Sequence, residues 1–361
     1  MRTPAADAGT GESPPSRGVD RGRPMQDVVE RRGSARAVLL RPEMGGLIAA
    51  CVVFVFFAIF AGSKGFLSET GSADWLDTAS QLGILALPVG LLMIAGEFDL
   101  SVGSVVGATS ITIALCTGYY SLSPWIGVVL AIAIGMGIGF LNGIITVTTR
   151  LPSFIVTLAM MLMVEGGATG VANAIAGASS ISAIPSGVSK ELFASSWKSL
   201  DVSLLWWIGL AVAATYVLQR TRVGNWIMAT GGDSRAARLS GVPTKGVKIW
   251  LFVVTSVGAV LVGIIETFSY SNGNVTLGSS YVFTAIAAAV IGGVLLTGGY
   301  GSTLGTVFGA ITYGIASMGV FFLGWDTNLT DLFVGLFLLL AMLANNRLRF
   351  LALAGSEEAL R

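Results

Sequence analysis

Gly96-Glu97-Phe98-Asp99-Leu100-Ser101-Val102-Gly103-Ser104 lies between two long apolar runs, Leu82 to Ala95 and Val102 to Leu115, and holds their only charges. An acid at mid-bilayer costs about 2.5–3.5 kcal/mol on an insertion scale. Glu97 and Asp99 must therefore sit at a membrane edge, face a wet cavity, or satisfy backbone groups at a helix break.

The 361 residues are 53% hydrophobic and 11% charged, with a mean hydropathy of +0.79, far from a soluble globular mixture. Apolar stretches recur at lengths near the roughly 20 residues that cross a bilayer as a helix. The 48 glycines suit close helix contact in lipid. The fold class is an all-α polytopic membrane protein. About ten spans are expected, near 45–62, 80–96, 102–118, 125–148, 153–171, 204–218, 248–266, 282–297, 301–322 and 331–346. The second and third are readable as half-helices or as one interrupted element.

Residues 1–42 are rich in Gly, Pro, Ser and Arg without hydrophobic periodicity and read as a disordered cytoplasmic tail. No small-residue cleavage site follows its arginines directly, so 45–62 reads as a retained first span. Residues 43–346 form the membrane domain and 347–361 a short cytoplasmic tail. Threading from a cytoplasmic start puts Arg150, the 219–247 loop (Arg220, Arg222, Arg235, Arg238, Lys245) and Arg347 and Arg349 inside. Mixed charges fall outside: Lys64, Glu69, Asp74, Asp77, Lys190, Glu191, Lys198 and Asp201. This is the positive-inside pattern, with both termini cytoplasmic. Trp75, Trp125, Trp197, Trp206, Trp207 and Trp325 mark the outer interface. The expected location is a bacterial inner membrane, multi-pass, with lipid as the surrounding partner.

Glycines recur every fourth residue at Gly135, Gly139 and Gly143 and again at Gly301, Gly305 and Gly309, as a packing strip requires. Gly96, Gly103, Gly107 and Ala108 also align at one offset with Gly298, Gly305, Gly309 and Ala310.

Much chemistry is excluded. There is no histidine, and Cys51 and Cys116 lie within apolar spans, so neither a metal-ligand set nor a disulfide framework is nominated. No GxxxxGK[ST] run exists to hold a nucleotide, and no nucleophile–base pair is apparent. The chain reads as a non-enzyme that binds no cofactor itself, and its net charge of +1 nominates no nucleic-acid partner. Moving a solute is the default activity of such a bundle.

Two stretches carry more. Ser234-Arg235-Ala236-Ala237-Arg238-Leu239-Ser240-Gly241 has an Asp233 or Ser234 N-cap, helix formers, and a glycine stop before Val242-Pro243. It is either a solvated positive-inside loop or a short helix that docks on a partner. In the 96–104 stretch, Asp99 either caps the next helix or borders a pathway with Glu97, Ser101 and Asn142. Asn142 is placed to hydrogen-bond across helices, and Glu165 should face the bundle interior or the outer rim.

Four regions together then carry a resemblance. Gly96 to Ser104 resembles the G-x-x-D-L-S-V-G-S signature of permease subunits of monosaccharide ABC importers, of the ribose, xylose and galactose kind. Leu141-Asn142-Gly143 with Leu151-Pro152-Ser153-Phe154-Ile155-Val156-Thr157-Leu158 is similar to that family's N-G and P-S-F-I-V-T-L segments. Ala236 to Val242 resembles its A-A-R-L-S-G-I element, and Ala285 to Ser302 its A-I-A…I-G-G…G-G-x-G-S region. The resemblance implies a permease homodimer, two ATPase subunits that use ATP and magnesium, and an extracytoplasmic sugar-binding protein. It makes Arg235, Ala236, Ala237, Arg238, Leu239, Ser240 and Gly241 the element that couples to the ATPase. Two residues depart from the pattern: Glu97 stands where a small residue is usual, and Glu165 where a basic one is. A branched-chain amino-acid permease and a self-contained ion-coupled carrier are the rival readings.

Overall fold

The computed structural model describes residues 42–184, 187–340 and 343. Of the expected tails, 1–42 and 347–361, all but Pro42 lie outside the described residues, and Pro42 opens the first helix. Long helices dominate: α1 (Pro42–Ala61), α2 (Glu69–Ile94), α3 (Val102–Ala114, continued by a π turn Leu115–Tyr119), α4 (Pro124–Thr149) and α5 (Ser153–Ala176). After a short strand β1 (Ser180–Ser182) come α6 (Val188–Ala194), the pair β2 (Ser196–Trp197) and β3 (Leu200–Asp201), and α7 (Ser203–Arg220). Two short helices follow, α8 (Arg222–Gly232) and α9 (Ser234–Leu239), and then the long α10 (Thr244–Tyr270). The chain closes with β4 (Asn272–Asn274), α11 (Tyr281–Ile291), α12 (Thr303–Leu323) and a last apolar helix, α13 (Leu329–Leu340).

Seven helices among the described residues are long and apolar enough to cross a membrane: α1 to α5, α10 and α12. α2 and α3 form the centre. Their most apolar windows are 83% and 78% buried, against 17% for α5 and 28% for α1. α2 packs on α7, α10, α11 and α12, while α10 also lies along α3 and α4. The peripheral helices keep wide apolar faces exposed, including Val52, Ile59, Val129, Leu162 and Val212, as a lipid-facing surface requires.

Three expectations need correction. α2 starts at Glu69, eleven residues before the expected position, because Ser68 caps it by accepting from Gly71 N (3.0 Å). Asp74 and Asp77 are therefore helical, and α2 is a full span, with the interruption confined to 95–101. Trp207 does not mark an interface: it is 4% exposed, its indole set on the bare backbone of Gly83. Gly301 precedes α12, where it meets Ile94.

Glycine decides which backbones touch. A Cβ on Gly139 would lie 2.6 Å from Phe252 O, and one on Gly143 2.7 Å from Ile249 Cα, so α4 and α10 meet through this face. The aligned glycines share a role. Gly103 and Gly107 of α3 admit the carbonyls of Gly278 and Val275, while Gly305 and Gly309 of α12 admit those of Gly292 and Ala288. In the first case the visitor is the segment 272–280, the strand β4 followed by turns, which runs antiparallel along α3. Its Asn274 N–H donates to Ser110 Oγ (3.1 Å). α11 is then only about 16 Å long at 1.5 Å per residue.

Gly139→Ala should lower stability by about 1–3 kcal/mol through overpacking. Gly137, two residues away with nothing within 4 Å of its missing Cβ, should tolerate alanine or gain from it. Thermal unfolding of the detergent-purified protein checks this, and equal responses at both positions would refute close α4–α10 packing.

Candidate functional site

α2 ends in a Schellman closure: Gly96 takes φ +84, its N–H reaches Met93 O (2.9 Å), and Glu97 N–H reaches Leu92 O (3.1 Å). The next five residues leave backbone donors with no helical partner. Side chains of α5 supply acceptors. Phe98 N–H donates to Ser153 Oγ (3.0 Å) and Leu100 N–H to Thr157 Oγ1 (3.1 Å). Ser153 and Thr157 are four residues apart on one face of α5, so the loop rises one helical turn beside that helix before α3 begins.

Asp99 does not cap α3. Its Oδ1 instead accepts from Ser101 N (2.9 Å) and Ser101 Oγ (2.6 Å), and Asn142 Nδ2 donates to Ser101 Oγ (2.8 Å). Asn142 thus bonds across helices, from α4 to the loop. Asp99, Ser101 and Asn142 are 1%, 0% and 0% exposed. Of the four residues expected to border a pathway, these three form an interior clasp in which no solute reaches them in this conformation. Asp99 Oδ2 and Asn142 Oδ1 face the same interior without a partner. Glu97 stands apart, joined in an ion pair to Lys248 in the second turn of α10.

Below the clasp lies a junction made of bare backbone. Gly299 N–H donates to Ile94 O (2.8 Å). A Cβ on Gly298 would lie 2.8 Å from Gly96 Cα, and one on Gly299 2.7 Å from Gly232 Cα. The end of α2, the end of α8 and the turn before α12 therefore meet with no side chain between them.

α9 starts at this junction. Asp233 Oδ1 accepts from Arg235 N (2.8 Å) and Ala236 N (2.9 Å); these two bonds, that from Ala236 foremost, hold its carboxyl below the usual carboxylate range. Gly241 closes the helix at φ +86, with its N–H on Arg238 O (3.0 Å) and Val242 N–H on Ala237 O (3.0 Å). Ala237 packs inward, whereas Leu239 is 84% exposed with Arg235, Ala236 and Ser240 beside it.

A cavity of about 280 Å³ opens between α3, α5 and the 272–280 segment, lined by Ser104, Met161, Glu165, Ser279 and Phe283 among others. Glu165 is half-buried at its wall. Sequence reasoning did not find α8, the partnership of Glu97 with Lys248, or the buried bond from Tyr281 to Glu266. The one signal available for the last was an acid near the end of a long apolar run.

The profile of the family described as "Branched-chain amino acid transport system / permease component" matches residues 71–342, and the chain belongs to this family. It is 31% identical over 328 residues to the ribose import permease protein RbsC of Escherichia coli strain K12, covering 89% of this chain and 98% of that one. The RbsC of Haemophilus influenzae is 30% identical over 85% of this chain and 94% of its own. The fructose import permease protein FrcC of Rhizobium meliloti is 28% identical over 86% and 87%. No solved structure matches the chain. It is a multi-pass inner-membrane permease component.

Removing the acceptor for Leu100 N–H by Thr157→Val should cost about 1–3 kcal/mol, the price of one buried unpaired donor. In a cycle of Glu97→Gln and Lys248→Met, each single change should destabilise more than the double, because each alone strands a charge. Melting curves of the four proteins decide it, and strict additivity would mean that the ion pair carries no coupling.

Proposed function

We propose that this chain is the transmembrane subunit of an ATP-driven importer for a monosaccharide. The observation that carries the coupling half is α9: a short helix fixed at both ends, exposed along Arg235, Ala236, Leu239 and Ser240, and continuous through Gly231–Gly232 with the backbone junction under the 96–101 loop. The sugar half rests on relatives named for ribose and fructose import.

In this reading α7, α11 and α13 join the seven longer helices as membrane segments to make ten, and both termini are cytoplasmic. Two ATPase subunits hold ATP and magnesium and grip α9 of each protomer of a homodimer. A binding protein delivers sugar to the opposite face. Solute passes the wall at Ser104, Glu165 and Ser279, where weak polar contacts suffice. Asp99, Ser101 and Asn142 shape the pathway by fixing the loop from which α3 carries Ser104 into that wall, and Glu97 ties the same loop to α10. ATPase closure shifts α9, and the glycine junction passes the shift to α2 and α12 as a small sliding of packed helices. Glu97 is already paired with Lys248, which leaves it unsuited to bind a coupling ion in a self-contained carrier.

The test is uptake of labelled ribose, xylose and fructose into liposomes holding this chain with the ATPase and binding protein of its own importer. Uptake should require ATP, and Leu239→Asp should reduce it at least tenfold while the amount of assembled permease is unchanged. Accumulation by this chain alone under an ion gradient, without ATP, would overturn the reading. Asp99→Ala should insert normally yet lower the rate, since the clasp loses its acceptor; a rate equal to the parent's would make the clasp dispensable to transport.

A further inference from the structure

A second cavity, about 330 Å³, lies between the α4–α5 turn and the α9–α10 turn. Its wall carries Arg150, Arg238, Lys245 and Lys248 against one acid, Glu97. Glu97 is taken by Lys248, and among the described residues Arg150, Arg238 and Lys245 form no ion pair. Thr146 and Thr244 line the same wall, 6% and 2% exposed, and among the described residues their buried Oγ1 atoms have no hydrogen-bond partner. Thr244 is the first residue of α10, a helix of 27 residues whose positive dipole end is turned to this wall. Arg150 holds φ +61, an uncommon conformation for a side chain of its size.

Cations without counter-charge, orphaned hydroxyl donors and a long helix's N-terminus share one complement: an oxyanion with several acceptor oxygens. We propose that this cavity binds a phosphate-bearing anion. The site has a mechanical consequence. Ser234 and Arg238 stand four residues apart and line the cavity, whereas Arg235 and Leu239, also four apart, face outward. α9 therefore has an inner face that an anion bridges to Arg150 and Lys245 on the membrane body, and an outer face left free. A bound anion fastens α9 to the α4–α5 turn. The same chemistry has two sources: the headgroup of an anionic phospholipid, whose chains would lie along exposed Leu151, Phe154 and Ile155, or a soluble phosphate ester. The inference rests on the cavity's own chemistry and not on which solute is transported.

Purified full-length protein separates them. Inorganic phosphate and ribose 5-phosphate are titrated in detergent with thermal unfolding as readout, and retention of phosphatidylglycerol against phosphatidylcholine is measured by native mass spectrometry. The soluble source predicts a rise in melting temperature with phosphate ester; the lipid source predicts selective retention of phosphatidylglycerol. In either case Arg150→Gln/Lys245→Gln should weaken binding at least tenfold and Thr244→Val several-fold. Arg220→Gln/Arg222→Gln, which removes the same charge at exposed positions outside the cavity, should leave it unchanged. Binding of neither probe by the parent, equal loss in the Arg220/Arg222 control, or undiminished binding in both cavity variants would each overturn the proposal.

Discussion

Everything at the centre of this molecule depends on a constraint of the bilayer: an interrupted helix inside it must find protein partners for every freed backbone group. The interruption between Ile94 and Val102 meets it with hydroxyls and one carboxylate. Ser153 and Thr157 take the N–H groups of Phe98 and Leu100, Asp99 takes that of Ser101, and Asn142 braces Ser101 from α4. Three segments that are separate in sequence are thus one hydrogen-bonded unit. Losing Ser153, Thr157 or the Asp99 carboxylate leaves a backbone donor of this loop without its acceptor. The segment before α11 uses the same device, with Ser110 capturing Asn274 N–H.

Glycine supplies the second half of the design. Where loops enter the bundle, carbonyls approach helices at positions that no Cβ allows, at Gly103 and Gly107 of α3 and at Gly305 and Gly309 of α12. At the base, Gly96, Gly231, Gly232, Gly298 and Gly299 bring three chain turns into backbone contact. Side chains yield by changing rotamer; backbone in contact with backbone has no such slack. A displacement of α8 and α9 must therefore move the end of α2 and the start of α12 with it, or break the Gly299–Ile94 hydrogen bond.

Local features were legible in the sequence and distant pairings were not. The α9 helix is written in its own residues: the Asp233 cap, the Ala-rich body and the Gly241 stop all act within nine positions. The apolar spans and the α4 glycine strip are read from periodicity for the same reason. The start of α2 was misplaced because Glu69, Asp74 and Asp77 look like loop residues until Ser68 is seen to cap them. The short α11 was hidden because 292–297, read as its continuation, is as apolar as a helix although Gly293 turns the chain at φ +90. Trp207 resembled an interface residue because only the tertiary fold reveals the bare patch at Gly83. The partner of Glu97 lies 151 residues away, and no local rule selects Lys248 from the other cations at that end.

That pairing explains the residue which fits the family pattern least. A carboxylate at position 97 would be expensive beside apolar helix ends if it stood alone. Lys248 offsets it, and the pair joins the loop after α2 to the second turn of α10. The same bond consumes the one acid on a wall of four cations, so the neighbouring cavity keeps an uncompensated positive field. The departure at Glu97 and the chemistry of that cavity are therefore linked. Substituting a small residue at 97 would release Lys248 to the cavity as a fourth free cation, and would loosen α10 from the loop in the same step.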